Sequence, residues 1–136
     1  MPITFDLHIR SADRDFFEGR CAALSLRVTD GELGLLANHS PLVAAVVPGA
    51  LSFRTAEGET VRVAAGGGIV RFVNNDALVL LDSVETPEEI DVHRARAAAE
   101  AAEAALKAAS TPEQRSKARA DLDRARNRLK ITETGE

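Results

Sequence analysis

Apolar and polar residues alternate at the start of the chain, with Ile3, Phe5, Leu7 and Ile9 on one side and Thr4, Asp6, His8 and Arg10 on the other. A period of two is the signature of a half-buried strand. Shorter strand-like runs follow at 22–28, 33–36, 42–47, 50–54, 60–65, 69–73 and 77–81. Between them stand turn signals: Asp30-Gly31, Pro48-Gly49, Glu57-Gly58 and Asn74-Asn75-Asp76. Short strands at this spacing predict an antiparallel sandwich or barrel.

The period changes at position 86. Thr86-Pro87-Glu88-Glu89 offers a threonine cap, a proline at the first helical position and a glutamate that closes a capping box. The same arrangement recurs at Thr111-Pro112-Glu113-Gln114. Two helices of roughly 20 residues, joined by a tight turn around 109–111, are therefore expected as an antiparallel hairpin. The fold class is α+β, with a β-sandwich over 1–85 and a helical hairpin over 86–136.

Nine of the thirteen residues from Ala97 to Ala109 are alanine, a strong helix former with little apolar area. The expected seam runs through Ala118, Leu122, Ala125 and Leu129 on the second helix and through Ile90, Ala97, Ala101 and Leu106 on the first. A buried Leu or Ile contributes ~1.5–3 kcal/mol and an alanine less than half of that, so docking totals only a few kcal/mol. Helices that persist while their arrangement changes meet the requirement for a two-state element. Composition fits a permanently closed, alanine-packed hairpin equally well.

At 136 residues and 45% hydrophobic content the chain can bury one modest core plus an appended element. It has no apolar run long enough to span a bilayer and no secretory leader pattern, so a soluble protein beginning at Met1 is expected. Cys21 is the single cysteine, which excludes an internal disulfide and is expected to be a small buried apolar side chain. The formal net charge of -4 argues against nucleic acid as a partner. Charge is nevertheless sorted: between Arg115 and Lys130 stand Arg115, Lys117, Arg119, Arg124, Arg126, Arg128 and Lys130, against only Asp121 and Asp123. This suggests an acidic partner, although a solvated helix face accounts for such a run as well.

Catalytic patterns are weak. Gly66-Gly67-Gly68 precedes strand-like residues and lacks the Lys-Ser/Thr of a phosphate loop, so it is expected to be a bend or bulge. Asn38-His39-Ser40-Pro41 has no nucleophile elbow around it, and a turn describes it better than a hydrolase site. His8, His39 and His93 are too widely spaced for a metal site, and without Trp or Tyr there is no stacking platform. No enzyme and no required cofactor are expected.

Several stretches together resemble the epsilon subunit family of F-type ATP synthases. Asp30-Gly31-Glu32-Leu33-Gly34-Leu35, then Asn38-His39-Ser40-Pro41-Leu42 and Pro48-Gly49, are similar to the family's first signature. Gly67-Gly68-Ile69 followed by Leu78-Val79-Leu80-Leu81-Asp82 is similar to its second. Glu89-Ile90-Asp91-Val92-His93-Arg94-Ala95 resembles the motif that opens the family's helical part, and 124–129 resembles its end. The order and spacing of these matches are specific, whereas each alone is weak.

The resemblance implies a non-catalytic rotor subunit. Its sandwich would bind the gamma subunit and meet the ring of c subunits through Asp30, Gly31, Glu32 and His39. Its hairpin would open toward the alpha and beta catalytic subunits, where the basic residues of the second helix meet an acidic segment and restrain hydrolysis. It implies a place on the cytoplasmic face of a bacterial plasma membrane, with membrane association only through the complex. In some family members ATP binds the closed hairpin; the matching positions here are Glu85, Ile90, Asp91, Arg94, Ala95, Arg124 and Arg128. Ala101 and Ala105 stand where nucleotide-binding relatives have arginines, so weak or absent ATP binding is expected. A stand-alone sandwich and coiled-coil adaptor is the alternative.

Overall fold

The computed structural model describes residues 3–134, and the expected start at Met1 lies outside them. Nine strands come first: β1 (Phe5–Ser11), β2 (Asp15–Val28), β3 (Gly31–Leu36), β4 (Leu42–Val46), β5 (Gly49–Thr55), β6 (Thr60–Ala65), β7 (Gly68–Val73), β8 (Asp76–Leu81) and β9 (Val84–Glu85). One layer of the sandwich runs β4-β7-β8-β1 and the other β3-β2-β5-β6-β9. The alternation in β1 buries Phe5, Leu7 and Ile9 completely, and Phe72 meets Phe5 edge-on at 5.3 Å between ring centroids.

The strand β2 serves both layers. Its first half pairs with β1 and its second half with β3 and β5, with an irregularity between Cys21 and Ala23. Cys21 is fully buried, as expected, and desolvation pushes its thiol up to about 11, so it is inert at neutral pH. The expected strand at 22–28 is therefore only the second half of a longer one. Over Asp15–Arg20 the sequence does not alternate, because Phe16 and Phe17 are adjacent and both half-buried.

The sandwich departs from a purely antiparallel one at a single pair. β1 and β8 run parallel over Asp6↔Asp76 to Ser11↔Leu81. The neighbouring strands β7–β8 and β1–β2 are antiparallel pairs, and the direction of β1 is fixed by β2 before the layer closes on β8. The glycine run does mark a bend. A side chain at Gly68 would collide with the Leu80 carbonyl, so only glycine lets β7 lie this close to β8.

The helical part starts later than the sequence suggests. Thr86 and Glu89 form the capping box, yet Pro87–Glu89 makes only one 3-10 turn. The backbone then extends at Ile90, whose side chain is buried, and a second cap, Asp91, accepts a hydrogen bond from the Arg94 N–H and opens α1 (Val92–Ala108). The second helix, α2 (Pro112–Thr134), begins where expected, with Thr111 Oγ1 accepting from Gln114 N–H. Gln114 reaches back to the Ser110 N–H at 2.9 Å, one residue beyond the box the sequence suggests.

The seam also differs on one side. Ala118, Leu122 and Ala125 of α2 are buried, with Leu129 half-buried, as expected. On α1 the buried positions are Ala95 and Ala102, while Ala97 and Ala101 face solvent. The late start explains this, since Ile90 lies before the helix and cannot set its phase. The helix docks on the sandwich through a separate small cluster in which Ala64, Ile90, Ala95 and Ile131 are buried, with Ala50 and Leu129 packed against them.

Candidate functional site

The Asp30-Gly31-Glu32 segment is the tip of the β2–β3 hairpin. Gly31 has a φ of 128°, a region that suits glycine, and Val28 pairs with Gly31 across the turn. All three residues are exposed, and Glu32 accepts a hydrogen bond from Ser25 Oγ at 3.0 Å. The Pro48-Gly49 turn lies beside this tip, since Val47 N–H donates to the Arg27 carbonyl.

His39 is at the other end of the sandwich. The whole of β3 separates it from the turn, roughly 20 Å at the rise of an extended strand. Its Nδ1 lies 2.7 Å from the Ser40 carbonyl and its ring meets Phe72 edge-on. The neighbouring Asn38, with a positive φ of 68°, is clasped by Asn75 through two hydrogen bonds of 2.6 and 2.9 Å. The structure thus does not bring Asp30, Gly31 and Glu32 together with His39.

The residues matched to nucleotide binding are brought together only in part. Ile90 and Ala95 are in the docking cluster, the Asp91 carboxylate caps α1, and Arg128 Nε donates to Glu85 across the junction. Arg124 is held by Asp121 at 3.4 Å, and the Arg94 side chain is exposed. The cleft between Arg124, Arg128 and Glu85 measures about 10 Å³, enough for about one water molecule.

The seven basic residues of α2 do not form one face. At 100° per residue, Arg115, Arg119, Arg126 and Lys130 form one stripe and Lys117, Arg124 and Arg128 the nearly opposite one. The first stripe is exposed, with Arg126 reaching Glu103 of α1 at 3.3 Å. In the second, Lys117 pairs with Asp121 at 2.8 Å, and Arg124 and Arg128 are half-buried toward the sandwich.

Three features lie outside the sites named from the sequence. On the outer face of the β4-β7-β8 layer, Val43, Ile69 and Leu80 are exposed at 64%, 42% and 42%, with Ala45 opposite Ile69 and Ile69 opposite Leu80. Their signal was readable: β4 and β8 read as continuous apolar runs rather than alternating ones, the mark of strands covered on both sides. Beside this face His8 lies between Glu18, at 3.0 Å from Nδ1, and Asp76, at 2.9 Å from Nε2. The hydrogen bond to Glu18 raises the His8 pKa above its ordinary value against the opposing effect of burial, and the bond to Asp76 adds to the rise.

The third is a clasp at the junction. Arg14 donates to both oxygens of Glu89, at 2.9 and 2.8 Å, and to the Val84 carbonyl at 2.8 Å. Arg14 first, and the Thr86 N–H after it, lower the Glu89 carboxyl to about 2. Nothing in the sequence pairs the two, because 75 residues separate them. Among the described residues no helix is long and apolar enough to cross a membrane, and no group of His, Cys, Asp and Glu gathers as metal ligands.

Comparison with known proteins gives two family matches. The profile of the ATP synthase delta/epsilon chain β-sandwich domain matches residues 4–87, and that of the delta/epsilon long α-helix domain matches residues 88–133. An ATP synthase epsilon chain of Caldicellulosiruptor bescii is 40% identical over 129 residues, covering 95% of this chain and 93% of that one. That of Ruminiclostridium cellulolyticum is 35% identical over 129 residues, covering 95% and 96%. Among solved structures, a chain of the Euglena gracilis mitochondrial ATP synthase superposes with a TM-score of 0.82 at 22% identity, covering 99% of this chain and 82% of its own length. At that identity the likeness speaks for the fold.

Proposed function

This chain belongs to the ATP synthase delta/epsilon chain family, and from that premise we propose that it is a non-catalytic central-stalk subunit whose sandwich joins the gamma subunit to the c-ring and whose hairpin restrains ATP hydrolysis. The observation that carries this reading is the way the hairpin is attached. Its buried contact with the sandwich consists of Ile90, Ala95 and Ile131 on Ala64, flanked by Ala50 and Leu129. Two buried isoleucines at ~1.5–3 kcal/mol each, plus alanines, make a contact of a few kcal/mol. A partner of ordinary affinity outweighs it, so the hairpin can exchange the sandwich for another surface while remaining helical.

The outer face of β4, β7 and β8 suits gamma, since an exposed apolar surface on a rigid sheet is what a permanent partner buries. For the ring we assign the Asp30-Gly31-Glu32 tip, where a carboxylate stands on an exposed turn. His39 is left out of that contact because the length of β3 separates it from the tip. Toward an acidic segment of a catalytic subunit, Arg115, Arg119 and Arg126 are already presented, whereas Arg124 and Arg128 become available when the hairpin leaves the sandwich. At the Glu85–Arg128 cleft ATP is at most a weak ligand, because Arg128 is engaged by Glu85 and the cleft between them holds about one water. The site of action is the cytoplasmic face of a bacterial plasma membrane, reached through the complex.

Truncation after Glu85 tests the reading. The shortened chain is expected to assemble with gamma and the ring while the ATPase activity of the complex rises. Unchanged activity would refute the inhibitory hairpin, and failure of the full chain to co-purify with gamma would refute the stalk role.

A further inference from the structure

Between the tip of the β2–β3 hairpin and the flank of α2 lies a groove of about 1060 Å³. Arg27 and Arg62 line it from the sandwich, and Arg124, Arg126 and Lys130 line it from α2. Only Asp30, Glu32 and Asp123 oppose them there, which leaves an excess of positive charge inside a chain whose formal net charge is -4.

The two sandwich arginines set this groove apart. Arg124 and Arg126 are held by Asp121 and Glu103. Neither the Arg27 nor the Arg62 guanidinium has a hydrogen bond or ion pair with any described residue, and Arg62 Nε is buried without an acceptor. A buried donor on a charged group is costly to leave unmade. Register explains their proximity. Arg62 stands opposite Ser52, and Ser52 opposite Ser25, two residues from Arg27, so both arginines lie on the outer face that α2 crosses. The groove has its second wall only while the hairpin is docked.

We propose that this groove binds a multivalent oxyanion, a phosphate or polyphosphate, which bridges Arg27 and Arg62 to α2 and thereby fastens the docked hairpin. Guanidinium groups match phosphate oxygens bidentately, and two such groups on one wall with more cations on the other suit a ligand with several charges. Its apolar lining comes from small or aliphatic residues such as Val28, Pro48 and Ala120, with no aromatic side chain to stack on a base. Charge, not a nucleobase, is what the groove recognises. It lies along a different flank of α2 from the Glu85–Arg128 cleft, although Arg124 and Asn127 border both.

Amide NMR of the full chain, titrated with inorganic pyrophosphate and with sodium chloride at equal ionic strength, tests this without any partner subunit. The expected result is saturable shifts at Gly31, Gly49 and residues 124–130 with pyrophosphate alone. R62Q and R27Q, which keep the side-chain stems, are each expected to weaken pyrophosphate binding about tenfold or more, while R54Q, outside the groove, leaves it unchanged. Thermal melts of the variants establish that they are folded. Tripolyphosphate and ATP distinguish the sources of the same chemistry, and equal affinity for both is expected. No saturation, an equal response to sodium chloride, full affinity in R62Q and R27Q, or shifts centred on Ser83 and Glu85 with a preference for ATP would each overturn the proposal.

Discussion

His8 shows how one side chain can tie three strands together. It stands on β1, takes Glu18 from β2 and Asp76 from the start of β8, and Arg10 shares Glu18 at 2.9 Å. Its raised pKa fixes the sign of the effect: protonated His8 is favoured by folding, so its contribution is complete below the unfolded value of about 6.5 and lost as pH rises through the folded one. Denaturant midpoints of the sandwich are therefore expected to fall as pH rises above about 6.5, and H8Q is expected to flatten that slope. An unchanged slope in the variant would assign it elsewhere. Ile131 is the counterpart on the hairpin, fully buried on Ala64 and Ile90. Ile131→Ala is expected to cost the docked state about 2–5 kcal/mol, seen as faster hydrogen exchange in α2 with the protection of β1 and β8 unchanged.

At the scale of elements, the sequence foretold what is periodic or capped. β1 could be read from Ile3 to Ile9, and the α2 start from Thr111, because the physical cause lies within a few adjacent residues. Where the cause is tertiary, the sequence was silent. The first half of β2 shows no alternation, since Phe16 and Phe17 flank the layer edge, and the phase of α1 is set by Asp91 rather than Thr86. The candidate site divides in the same way. The Asp30-Gly31-Glu32 tip follows from a turn dipeptide and the splitting of the basic run from the helical period, while the separation of His39 and the Arg27–Arg62 pairing depend on topology.

The corrected phase is testable. Ala102→Glu places an unpaired carboxylate in the seam and is expected to separate α1 from α2, whereas Ala97→Glu is expected to be neutral within about 0.5 kcal/mol. Helix separation read by a distance probe pair would reverse the assignment if Ala97→Glu were the disruptive one. The Arg14–Glu89 clasp carries a pH signature of the opposite sign to that of His8. With the Glu89 carboxyl held at about 2, its contribution is present above the ordinary carboxylate pKa and lost as pH falls through the lowered one. Both partners are more than a third exposed, so solvent screens the pair and its contribution is small. In acid titration followed by NMR, R14A is expected to return the Glu89 carboxyl toward about 4.3.

For the whole molecule, the two faces of the sandwich divide the work. One layer receives the hairpin on small residues, Ala50 and Ala64; the other exposes Val43, Ile69 and Leu80. If the second is where gamma sits, the double variant Val43→Asp, Ile69→Asp should abolish co-purification with gamma while leaving circular dichroism and melting unchanged, because both side chains point outward. Retained binding would move gamma to another surface.

The parallel closure of β1 on β8 has a bearing on biosynthesis. Asp6 and Asp76 are neighbours across that ladder yet about 70 residues apart in the chain. At roughly 5–20 residues per second, β1 and β2 leave the ribosome several seconds before the strand that completes their layer. A nascent chain halted short of Asp76 would leave one side of β1 as an unpaired strand edge, and that interval is when this protein has most need of a chaperone.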